Sequence, residues 1–360
     1  MHPDLSIVAT SRNDNHGGDL CKRMQIFIDG IVAQSKKYNF SVELILVEWN
    51  PPIDKPGLYE VLKWPRPTSP CSIRIIEVPA EVHNRYKYSS GLPLFQMIAK
   101  NAGIVRANSN FILSTNIDII FSDELMNSLS SKTLREGNYY RANRYDVSRD
   151  VYKYNKSEDL LSACSRHTVR INHRNGIKDC TSGEATEFYP DSPTIPYMGK
   201  RRKYIPGWNF IVQNPDHQYV RLIYKMLRQY RNWLRLHTNA CGDFTMMSKA
   251  DWEKIRGAPE LELFSLHLDS LVCYIAHFAG IKEVVLDAPI YHIDHDSGWT
   301  LEVEKDRSLY KRLEKNKVPV MSIKELDKWI ATMHRNKSPI IYNNEDWGLA
   351  NVDLKETVIN

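Results

Sequence analysis

The chain lacks the roughly twenty-residue apolar run that a membrane-spanning helix requires. Its first residues, Met1-His2-Pro3-Asp4, lead straight into an apolar strand with no basic-then-apolar leader. The expectation is a soluble, cytoplasmic protein; a chain trimmed of a membrane anchor would read the same. Paired cysteine spacing is also missing. Cys21, Cys71, Cys164, Cys180, Cys241 and Cys273 show no C-x-x-C pattern, which excludes the common zinc modules and implies no disulfide framework. A charge of one sign is absent as well: 48 Lys plus Arg against 43 Asp plus Glu leaves +5 over 360 residues, too mild an excess to point to nucleic acid. There is neither an internal repeat nor a low-complexity tail. What is plentiful is aromatic: 19 Tyr and 8 Trp offer faces suited to sugar rings and bases. The length allows two domains, or one large α/β domain with an extension.

Strands and helices alternate through the first third. Leu5 to Ala9 is a short apolar strand, and Thr10-Ser11-Arg12-Asn13-Asp14-Asn15-His16-Gly17-Gly18 is a polar loop after it. Leu20, Met24, Phe27, Ile28 and Ile31 then mark one face of a helix, with Asp19 near its start. Val42 to Val47 is a second strand that ends in Glu48, and Ile73 to Val78 is a third. Phe95, Ile98, Ala102 and Val105 define a helix that returns the chain to the strand Phe111-Ile112-Leu113. This order predicts a mixed, mostly parallel sheet flanked by helices, and in such a sheet ligands bind beyond the carboxyl ends of the strands.

Those ends carry the chemistry. Arg12 and Asp14 follow the first strand, Glu48 the second, and Asn116 and Asp118 the fourth, the last two one residue apart and able to face one side. A carboxylate at that position suits a hard divalent cation, and the cation suits a diphosphate. An Asn-x-Asp surface turn is the bland alternative.

The stretches SIVATSRND, LILVEWNPP and NAGIVRANSNFILSTNIDIIF resemble the nucleotide-sugar-binding half of GT-A-fold glycosyltransferases. In that family an Asp-x-Asp motif holds the cation on the sugar nucleotide. Here the motif is Asn116-Ile117-Asp118, so the resemblance implies Asp118 as the direct metal ligand, with Asn116 near the ribose or a metal-bound water. It implies nucleotide contacts for Thr10, Arg12 and Asp14, and a hydrogen bond from base or ribose to Glu48. Asn101 and Arg106 are further candidates. A later phrase, CGDFTMMSKADWEKIRGAPE followed by HLDSL, resembles the acceptor side of the same family, where an acid serves as base in inverting members. That role falls to Asp269, then Asp243, then Glu260. A histidine after the last core strand completes the metal shell in several GT-A families, which points to His295, with His292 second; such a ligand set suits Mn²⁺ or Mg²⁺.

The expected layout is a nucleotide-sugar-binding half over residues 1–134, a helical or irregular acceptor-side insertion over 135–240, a catalytic half over 241–300 and a C-terminal helical extension over 301–360. The insertion holds prolines at 190, 193, 196, 206 and 215, the basic run Lys200-Arg201-Arg202-Lys203, and a helix from Tyr219 to His237. Arg221, Lys225, Arg228 and Arg235 line that helix; the stripe reads as a solvated face, or as a contact to an anionic acceptor or membrane surface. The expectation is a metal-dependent, inverting glycosyltransferase of polysaccharide biosynthesis, taking a UDP-sugar to a glycan or glycolipid hydroxyl. A non-catalytic glycan- or nucleotide-binding protein is one rival. A sugar-1-phosphate nucleotidyltransferase is the other, and it would need a Gly-rich, basic triphosphate loop that the first strand does not lead into.

Overall fold

Every residue of β1 (Leu5–Ser11) and β2 (Val42–Trp49) is buried, as strands covered on both faces must be. Leu5, Ile7 and Ala9 point to one face, where Leu20, Met24, Phe27, Ile28 and Ile31 of the helix Leu20–Lys37 meet them. Val8, Ile45 and Val47 point to the other, against the helices Gln96–Val105 and Leu268–Phe278. A side-chain period of two therefore builds three layers. Helix 96–105 lies so close to the sheet that a Cβ at Gly103 would collide with Val8.

The further strands are β3 (Cys71–Val78), β4 (Phe111–Thr115), β5 (Ile119–Phe121), β6 (Asn138–Val147), β7 (Thr168–His173), β8 (Gly176–Asp179), β9 (Glu187–Phe188), β10 (Phe244–Ser248), β11 (Lys282–Ile293) and β12 (Lys355–Ile359). This computed structural model describes residues 2–65, 70–154, 157–174, 176–181, 187–188, 218, 236–295 and 308–359. The sheet order is β12-β3-β2-β1-β4-β10-β6-β7-β8-β9, and β11 pairs with both β5 and β6. β3, β2, β1 and β4 run parallel, so their carboxyl ends share one edge. β10 is antiparallel to β4 and β6, while β11 is parallel to β6. The class is the α/β one expected: a mixed sheet with a parallel centre, flanked by helices.

Two boundaries differ from the sequence reading, at β6 and in the C-terminal extension. β6, placed within the insertion, is a central strand; its buried Arg141 and Asp146 hide the apolar alternation that marks a strand. β11 continues through Pro289, which sits at a register shift between Leu286 and Ile290, where a missing N–H is tolerated. The C-terminal extension is helical at Ser308–Lys315 and Ile323–Asn336, but it ends in β12, which adds an edge strand antiparallel to β3.

The capping box of Ser322 and Glu325 opens helix 323–336. The 343–349 loop packs back onto the body of the fold: Asn343 donates to the Arg256 and Ala258 carbonyls, and Trp347 is buried. Asp19 occupies the N-cap of helix 20–37 in a left-handed conformation and makes no cap bond. The prolines of the insertion, Lys200 to Lys203, Tyr219 to Arg235, and Gly298-Trp299 lie outside the described residues. Among the described residues, no helix is long and apolar enough to cross a membrane.

Candidate metal centre and acceptor-side carboxylate

β4 ends at Thr115, and the turn to β5 carries Asn116 and Asp118. The antiparallel register of β5 and β11 sets His292 opposite Ile119, so the histidine arrives beside Asp118. The parallel register of β6 and β11 sets Asp146 beside His292. Two strand pairings thus converge three groups that are far apart in sequence. His295 follows just beyond the end of β11. One ligand atom from each of Asp118, His292 and His295 lies within 4.8 Å of the others.

Asp118 is buried. Its Oδ2 receives Arg23 Nη1 at 2.7 Å and His295 Nε2 at 3.0 Å, with His292 Nε2 at 3.7 Å. Burial would raise its pKa, but His292, His295 and Arg23 outweigh that and hold the carboxyl below its usual range. Asp118 Oδ1 and His295 Nδ1 are buried without a hydrogen-bond partner.

Asp146 fixes His292. Its Oδ1 accepts from His292 Nδ1 at 3.0 Å, while Arg144 Nε and Asn172 Nδ2 approach the carboxylate at 2.9 Å each and Arg170 contacts it as well. Burial again opposes ionisation, and Arg144, His292 and Arg170 overcome it, so the carboxyl stays far below the usual range. An ionised carboxylate only accepts, so Nδ1 carries a proton, and Nε2 is the ring nitrogen left to face the cluster.

Arg144 also reaches the Cys241–Asp243 turn, donating from Nη1 to Asp243 Oδ2 at 2.6 Å. Asn116 joins the same group: its Nδ2 donates to Asp243 Oδ1 at 2.5 Å, and its Oδ1 accepts from Gln96 at 2.8 Å. Beside Asp243, the Gly242 amide donates to Asp269 Oδ2 at 3.0 Å, and the Ser270 amide donates to Asp269 Oδ1 at 2.8 Å. A Cβ on Gly242 would sit 3.0 Å from Asp269 Oδ2, so this approach needs glycine or a shift. Lys100, buried beneath, donates to the Gly242 carbonyl at 2.7 Å. Burial pushes its pKa down to about 8, against the pull of Asp243, Asp269 and Asp118.

The remaining candidates divide by position. Thr10 donates to the Val47 carbonyl at 3.0 Å, Arg12 reaches the Pro93 carbonyl at 3.3 Å and Asp14 at 3.7 Å, and Asp14 accepts from the His16 amide at 3.0 Å, all beyond the end of β1 or within its last residues. Glu48 is buried, its two oxygens 2.9 and 3.1 Å from the Leu58 amide, and burial raises its pKa to about 7. Asn101 and Arg106 are not brought to the centre. Asn101 spends its amide on Ala258 and Glu260, and Arg106 on the carbonyls of Ala102, Gly348, Leu349 and Val352. Helix 96–105 starts beside Asn116, and at about 1.5 Å per residue its far end lies some 15 Å away. Glu260 is engaged there with Asn101 and the Gly348 amide. Arg23, Asp146, Arg144 and Lys100 are the site residues that sequence reasoning missed.

Fold and site together define an α/β protein with a carboxylate and two histidines at the strand ends of its sheet, a donor set that fits a divalent cation such as Mn²⁺. No protein family model and no curated protein matches this chain. Among solved structures it is similar to S. aureus TarS 1–349, at 10% identity and TM-score 0.39, covering 93% of this chain and 71% of that one. It is also similar to GalNAc-T7, solved with UDP, GalNAc and Mn²⁺, at 10% identity and TM-score 0.41, covering 94% of this chain and 59% of that one.

Proposed function

We propose that the chain is a metal-dependent glycosyltransferase that moves a sugar from a nucleotide donor, a UDP-sugar, to a hydroxyl of a glycan or glycolipid acceptor, as in polysaccharide biosynthesis. The observation that carries this reading is one connected site. Asp118, His292 and His295 converge at the strand ends, and Asn116 and Asp243 link them to the Gly242 turn that holds Asp269.

Bound there, a Mn²⁺ or Mg²⁺ ion supplies positive charge against the departing diphosphate. Asp118, His292 and His295 hold it, with Asp146 keeping the His292 ring in register. Thr10, Arg12, Asp14 and Glu48 line the nucleotide side, and Asn116 fixes the turn by bridging Gln96 and Asp243. Asp269 is the base. It takes the proton of the acceptor hydroxyl as that oxygen bonds to the anomeric carbon and the bond to the nucleoside diphosphate breaks, which inverts the configuration. Asp243 is the poorer base, because Asn116 and Arg144 occupy its two oxygens.

Calorimetric titration of UDP, GDP and CMP, each with and without Mn²⁺, tests the donor reading. Manganese-dependent binding of UDP is expected; no binding of any nucleotide would overturn it. The non-catalytic reading draws on Asn116 standing where the family has an acid. Turnover of a UDP-sugar with an inverted product would exclude it.

A further inference from the structure

We propose that Arg23 is a built-in counter-cation that prevents the Asp118–His292–His295 cluster from holding a divalent ion alone, so that the ion enters together with a nucleoside diphosphate. This rests on the cation-and-nucleotide reading above. The Arg23 side chain is 1% exposed, and Nη1 donates to Asp118 Oδ2 at 2.7 Å. Its other nitrogens are committed: Nε and Nη2 donate to the Gly18 carbonyl at 3.3 and 3.1 Å, and Nη2 also donates to the His16 carbonyl. A guanidinium does not lose its proton in a protein, so this charge is permanent.

The one carboxylate of the ligand set is met by a fixed cation, and so are the two carboxylates behind it. Asp118, Asp146 and Asp243 are met by Arg23, Arg170 and Arg144, and both imidazoles are neutral when they act as ligands. Affinity for a hard dication follows the charge of its ligand set, and here that set offers no net negative charge. A diphosphate brings both the missing charge and further oxygen ligands. Asp118 Oδ1, buried and unpartnered, is the oxygen that Arg23 leaves free.

The same guanidinium ties the cluster to the loop after β1. Asn15, Gly17, Gly18 and Asp19 there have positive φ, and the two carbonyls that Arg23 holds belong to His16 and Gly18. Arg23 therefore joins the Asp118 carboxylate to the loop proposed to face the nucleotide, and this gives cation and nucleotide a shared support.

The test is Mn²⁺ titration of the wild-type chain with and without saturating UDP, corrected for Mn²⁺–UDP association in buffer, repeated with Arg23→Gln and Arg23→Lys. Wild type should bind Mn²⁺ at least about tenfold more tightly with UDP than without, because charge sets the affinity. Arg23→Gln should gain about tenfold or more for Mn²⁺ alone, and Arg23→Lys, which keeps the charge, should behave as wild type. Equal wild-type affinity with and without UDP would overturn the proposal, as would a folded Arg23→Gln no tighter than wild type. The wild-type comparison decides if Arg23→Gln does not fold. If Mn²⁺ binds in neither condition while UDP binds, the cation reading itself has failed, not the role of Arg23 alone.

Discussion

The two sides of the site hold their carboxylates by different means. Asp118 is gripped by side chains, the Arg23 guanidinium and two imidazoles, and is held in its ionised form. Asp269 is held by two backbone amides, from Gly242 and Ser270, and among the described residues no arginine bonds to it. Amides fix the direction of a carboxylate without committing it to a counter-charge, and each oxygen keeps a lone pair for a further partner. The first arrangement suits a group that holds charge in place, the second a group that receives a proton. Asp243, between them, is bound to Arg144 and Asn116 and belongs with the first kind.

The comparison can be broken most severely at Asp118. Asp118→Ala leaves Arg23 buried and unpaired, which should cost about 3–5 kcal/mol of stability. Mn²⁺-dependent UDP binding should fall more than about 100-fold, beyond the range for loss of a merely supporting partner; denaturant titration and calorimetry read the two effects. Asp146→Asn removes the anionic acceptor from His292, and a fall in Mn²⁺ affinity of about 10–100-fold with UDP present is expected. Asp269→Asn should leave nucleotide binding unchanged while turnover drops about 10²–10⁴-fold. Equal losses in binding and turnover would make Asp269 another member of the donor side.

The smallest effect lies at Glu48, where pH sharpens the contrast with Asp118. Burial raises the folded pKa of Glu48 from 4.5 to about 7, so its contribution to stability is complete below 4.5 and is lost as pH rises toward 7. Asp118 and Asp146, held below the usual range, act oppositely: their contribution is present at neutral pH and is lost as pH falls through the acidic range toward their folded pKa values. Thermal midpoints of Glu48→Gln should therefore be flatter than wild type between pH 4.5 and 7, with the acid-side loss retained.

Much of this site was legible where apolar strands stop at polar groups. β1, β2 and β4 are largely apolar, so the polar groups past their ends, Asp118 among them, stood out by pattern, while His295 was reached only through the family resemblance. Arg23 was not found, although a signal was present: it lies three residues after Leu20 and beside Met24, on the stripe that enters the core. A charge on an apolar stripe asks for a buried partner. Arg144 and Asp146 are two residues apart on β6 and share a face, but buried charges erase the apolar alternation that would have revealed the strand. Asn101 and Arg106 lie away from the centre for a different reason. Their type suited a nucleotide, yet only the direction of helix 96–105 shows that the chain has carried them away from the strand ends.

On the reading proposed above, Asp118, His292 and His295 form one cation site serving a bound nucleotide. Electron paramagnetic resonance titration of Mn²⁺ in the presence of UDP, on wild type, Asp118→Ala and His295→Ala, tests it most directly. One protein-bound ion per wild-type chain is expected, with a spectrum distinct from Mn²⁺–UDP in buffer, and loss of that signal in both variants. Undiminished uptake in folded Asp118→Ala and His295→Ala would place the ion elsewhere and contradict the account.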